Sequence, residues 1–73
     1  MIEEIRRAVH NASLNNQKMA MFHFQVLKHA SELDSLDPIA FCHDIDVTES
    51  YQTEFRKMLN LARIMRQEGV HLA

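Results

Sequence analysis

Apolar side chains recur at helical spacing along the first part of the chain. Ile2, Ile5, Val9, Ala12, Met19, Val26, Ala30 and Leu33 advance in steps of three and four, with Asn16 and His23 at the two intervening positions. This register predicts a long N-terminal helix over residues 1–34 with a coiled-coil-like seam. Asn11, Ser13, Asn15 and Asn16 cluster near residues 11–16, where the alternative, a helix pair, would hinge. Met21, Phe22, Phe24 and Leu27 fall outside the seam, so the stretch Met19 to Leu27 is apolar on more than one side. A helix of that kind is expected to be buried on two faces, one against its own chain and one against a partner. Met19, Phe22, His23, Val26 and Ala30 are the candidate homodimer contacts.

The punctuation that follows is local chemistry. Asp34 and Ser35 close the first helical region. Asp37 is a good N-cap, Pro38 suits the first helical position, and Leu36 and Phe41 have the spacing of a hydrophobic staple. A short helix to about Ile45, a tight turn at Asp46 and Val47, and a third helix capped by Thr48 and running to about Glu68 follow. Gly69 is the expected left-handed stop. Tyr51, Phe55, Met58, Ala62 and Met65 line one face of that last helix, with Leu59 beside them. Gln52, Thr53, Arg56, Asn60, Arg63 and Gln67 occupy the other face.

Composition narrows the classes. One Gly and one Pro in 73 residues, with abundant Ala, Leu, Met, Glu, Gln, Arg and Lys, favour helix. No segment alternates with period two, so the fold class is all-α, a small helical bundle in a single domain over residues 1–73. A chain this short has a marginal core of its own, which points to oligomerisation as the remaining support. Cys42 is the only cysteine, so no disulfide can form within one chain, and a reducing, cytoplasmic setting fits. An acidic start, Glu3-Glu4, is unlike a secretory leader, and the densest apolar run, Met19 to Phe24, is far too short to span a membrane.

No enzyme chemistry emerges. His10, His23, His29, His43 and His71 include no pair four apart on one helix, and no second Cys could complete a zinc site, so no metal or cofactor is expected. Cys42 and His43 are adjacent and point about 100° apart on a helix, so they are no nucleophile and base. The absence of Gly-rich segments removes phosphate loops. The net charge is −2, distributed as −3 over residues 1–47 and +1 over residues 48–73.

Residues 37–68 carry the functional signal. Two helices joined by a short turn have the geometry of a helix-turn-helix. The segment DPIAFCHDIDVTESYQTEFRKML resembles that motif in small bacterial helix-turn-helix-like DNA-binding domains. Cys42 stands at the family's small residue where the two helices cross, and Asp46 at its left-handed Gly. Val47 matches the apolar anchor of the turn, and Thr48 the Ser or Thr that opens the recognition helix. Thr48-Glu49-Ser50-Tyr51 is similar to the start of that helix in several families, and Phe55 matches a large apolar position. Gln52 departs from the family's Val or Ile. Tyr51 and Phe55 can take over its burial if the last helix rotates slightly.

The resemblance implies a small transcriptional regulator of bacterial or phage type, binding duplex DNA as a homodimer. Thr48, Ser50, Gln52, Thr53, Arg56, Lys57, Asn60 and Arg63 are the expected DNA contacts, since these side chains read base edges or hold phosphates. The alternative is a helical adaptor or inhibitor that binds a protein through Met19 to Leu27 and touches no DNA. Net acidity favours it.

Overall fold

A computed structural model describes residues 1–72. The described residues form five helices: α1 (Ile2–Ser13), α2 (Lys18–Lys28), α3 (Ala30–Leu33), α4 (Pro38–Asp44) and α5 (Tyr51–Gln67). The all-α expectation holds. None of these helices is long and apolar enough to cross a membrane.

The N-terminal region is a helix pair, which corrects the expectation of one long helix. A continuous helix over 33 residues would be about 50 Å long, yet the longest dimension of the molecule is 33 Å. The break falls at Asn16, whose φ of 57° is left-handed. The Gln17 amide donates to the Ala12 carbonyl at 3.0 Å, and the Asn16 amide to Ser13 at 3.4 Å. These are the two bonds of a Schellman cap, and Asn adopts the required conformation at low cost. Leu14 is left 83% exposed at the bend. Folding back lets α1 pack along α2. Ile5, Val9 and Ala12 then bury within one chain, together with Phe22, Val26, Ala30 and Leu33.

The same closure corrects the expected dimer seam. Phe22 and Val26 are fully buried in the core of this single chain, and Ala30 nearly so. They cannot also meet a second copy without unfolding the bundle. His23 is half-buried and bonds Glu54 of its own chain. Of the five candidate dimer contacts, only Met19 counts as exposed.

Local chemistry sets the start of α4 and the ends of α4 and α5 as expected. The Asp37 carboxylate accepts from the Ala40 amide at 2.9 Å, and Pro38 occupies the first turn of α4. Asp46 has φ 60° and Gly69 has φ 72°. Each completes a Schellman cap: the Val47 amide donates to Cys42, and Val70 to Met65. Asn16, Asp46 and Gly69 thus perform the same task at three helix ends.

Three phenyl rings join the helices around them. The Phe41 ring of α4 stacks on Phe55 of α5 at 4.7 Å and lies 6.2 Å from Phe22 of α2. Tyr51 meets Phe22 edge-on at 5.0 Å. Each favourable ring pair adds about 0.5–1.5 kcal/mol beyond the area it buries. Cys42 and Val47 seal the α4–α5 corner from the inside.

Candidate nucleic-acid interface

The turn between α4 and α5 is built from its sequence outward. Left-handed Asp46 reverses the chain, and buried Val47 anchors it on the core. The connection is longer than expected, because α5 starts at Tyr51 rather than at Thr48. The Tyr51 amide donates to the Thr48 carbonyl and the Gln52 amide to Glu49, a tighter three-residue spacing than an α-helix has. The Thr48 and Ser50 hydroxyls bond each other at 2.7 Å, and no side chain caps the helix. Thr48 is therefore part of a turn and not the N-cap of the helix.

α5 presents its buried and polar faces as the pattern predicted. Phe55, Leu59 and Ala62 are buried, while Tyr51, Met58 and Met65 are half-buried. Tyr51 and Phe55 supply the burial that Gln52 does not, and Gln52 is itself half-buried at the edge of the face. Thr53, Arg56, Lys57, Asn60 and Arg63 are exposed along α5, and Thr48 and Ser50 are exposed in the turn before it.

The exposed side chains differ in how free they are. The Arg63 guanidinium donates to Asp34 and to Asn60, both at 2.6 Å. Lys57 donates to Glu54 at 3.2 Å. Glu54 also bonds the His23 ring at 2.7 Å. The His23 hydrogen bond, followed by that of Lys57, holds the Glu54 carboxyl below its ordinary pKa. Among the described residues, Arg56 is the one basic side chain of this face with no ion-pair partner.

The surroundings are acidic. From Asp37 to Lys57 the chain carries five carboxylates and two Lys or Arg side chains. Asp44, Asp46 and Glu49 are exposed around the turn. Four histidines stand beside carboxylates: His10 with Asp46, His23 with Glu54, His29 with Glu4 and His43 with Glu49. Three of these pairs tie α1 or α2 to a neighbouring element. They arise at sequence separations of 25 to 36 residues, so no local pattern announces them. Among the described residues no group of His, Cys, Asp and Glu is arranged to hold a metal ion. Burial pushes the Cys42 thiol above its ordinary pKa, which suits a packing role at the helix crossing.

A family model described as an HTH-like domain matches residues 1–68. The match takes in all five helices, so the N-terminal hairpin is part of the domain and not an appendage to the α4–α5 unit. No curated protein and no solved structure matches the chain.

Proposed function

Because this chain belongs to the HTH-like domain family, we propose that it binds duplex DNA through α5 and acts as a small transcriptional regulator. The observation that carries the reading is Arg56, exposed in the second turn of α5 and free of any ion pair among the described residues. In a helix-turn-helix the start of the second helix enters the major groove, and a free Arg there can take a guanine edge in a bidentate grip. Thr53 and Gln52 flank it toward the helix start. Thr48 and Ser50 lie before the helix, where a backbone phosphate is the fitting contact. Lys57 and Arg63 hold carboxylates in the free protein and would exchange them for phosphates. A homodimer, in this reading, forms through the outer side of α2, where Phe24 is 45% exposed.

Salt-titrated binding to mixed duplex DNA tests the proposal. Affinity should fall steeply as salt rises, and Lys57→Ala should lower the slope by about one phosphate unit. Arg56→Ala should cost roughly 1–3 kcal/mol on a preferred site and relax its sequence preference. Full binding by a folded Gln52→Ala, Arg56→Ala double variant, or no binding by the wild type at low salt, would reject it. A specific observation favours a second reading, in which the chain binds a protein: the exposed carboxylates Asp44, Asp46 and Glu49, just before the start of α5, would repel a phosphate backbone. Failure of the DNA assay would leave that reading in first place.

A further inference from the structure

A concavity lies away from the α4–α5 corner. It opens between the α2–α3 segment and the C-terminal half of α5, and Val70, His71 and Leu72 close one side. The Schellman bond from Val70 to Met65, 2.8 Å long, holds those residues against the helix end. Leu27, Met65 and Leu72 give the cleft apolar walls, and Lys28, Arg66 and His71 stand around them. Among the described residues no Asp or Glu side chain lines it. That is a local reversal of sign in a chain whose net charge is −2.

The cations are also free. Of the eight Lys and Arg side chains, Arg6, Arg7, Lys57 and Arg63 are engaged by carboxylates. Among the described residues Lys18, Lys28, Arg56 and Arg66 are not, and Lys28 and Arg66 line this cleft. A concavity of about 260 Å³, part polar and part apolar, with two unpaired cations in its lining, is below the usual range for drug-sized ligands. It suits a smaller molecule with an apolar body and one anionic end.

We propose that this cleft binds a small amphipathic anion, of the class of a medium-chain monocarboxylate. The apolar body lies against Leu27, Met65 and Leu72, and the carboxylate meets Lys28 and Arg66. Because the cleft joins α2 and α3 to α5, an occupant would tie the position of α5 to ligand concentration. The site is independent of whether α5 meets DNA.

Octanoate is the probe, titrated into the full-length protein and followed by methyl and amide NMR shifts. Expected are saturable shifts centred on Leu27, Met65 and Leu72, with half-saturation below about 1 mM. Octan-1-ol, which keeps the apolar body and lacks the charge, should bind at least about tenfold more weakly. A Lys28→Gln, Arg66→Gln double variant should lose octanoate affinity by about tenfold as well. Both side chains are exposed, so the fold should persist, and an unchanged amide spectrum outside the cleft verifies it. Shifts that do not saturate, or that centre on Phe24 or Leu36, would overturn the proposal. Equal binding of octanoate and octan-1-ol by the wild type would do the same without recourse to any variant.

Discussion

Asp46 offers the sharpest test of how the α4–α5 corner is held. Its φ of 60° lies in the left-handed region, where an L-residue with a β-carbon is strained by about 1–2 kcal/mol. Gly escapes that strain but loses more backbone freedom on folding, which returns about 0.4–1 kcal/mol. Asp46→Gly and Asp46→Ala both remove the carboxylate, so the His10 contact at 3.7 Å is lost equally and cancels between them. The two variants should therefore differ by about 1 kcal/mol, Gly being the more stable. For a domain of this size that is about 4–8 °C in melting temperature, readable by far-UV circular dichroism. Asp46→Asn should stay near the wild type, since Asn keeps a tolerance for the conformation. Gly and Ala variants melting within about 2 °C of each other would refute the idea that the left-handed residue secures the turn. The pair also separates stability from function. Each variant removes one carboxylate beside α5, so in the DNA reading both should bind duplex DNA more tightly, and to the same degree, despite their different stabilities.

Three further outcomes follow from burial and charge. Val26→Asp places an unpaired charge in the core of the single chain, at a penalty of several kcal/mol against a total stability of about 4–11 kcal/mol; circular dichroism should show loss of helix, and a well-folded monomer by light scattering would contradict it. Glu54 has a folded pKa below its unfolded one, so its bonds to His23 and Lys57 stabilise the protein at and above neutral pH, and that contribution is lost as pH falls through the lowered value. The melting-temperature gap between wild type and Glu54→Gln should accordingly be present at pH 7 and vanish in strong acid; a gap that does not change with pH would argue that the bonds play no part in stability. Cys42, buried with a raised pKa, should react with a thiol reagent only at the rate at which the chain opens, and fast labelling of the native protein would exclude its placement at the helix crossing.

How much was legible in the sequence follows from the range of the forces involved. The all-α class, the Asp37 cap, the left-handed Asp46 and the Gly69 stop are written within a few residues of where they act. A backbone amide without a partner, or a φ that strains a β-carbon, is a local matter and needs no knowledge of distant chain. The division of α5 into a buried face and a polar face is legible for the same reason, since the helical period alone sets it. The start of α5 was not: the Thr48 and Ser50 hydroxyls satisfy each other, and Thr48 reads as a cap only if that competition is unseen.

What the tertiary structure decided was which surfaces meet. The same apolar seam suits a long helix awaiting a second copy or two short helices closing on each other, and both bury Val9 and Val26. Four polar residues near Asn16 mark a break without compelling it. The choice fell to whether Ile5 and Val9 could reach Phe22 and Val26 within one chain once α4 and α5 had covered the far side. Likewise the helical period places Arg56, Lys57 and Arg63 on one polar face, but only the fold brings Asp34 within 2.6 Å of Arg63 and leaves Arg56 without a partner. Periodicity tells each helix which side to hide. It carries no term for the partner, because contacts between residues 29 or 31 positions apart depend on the path of everything between them.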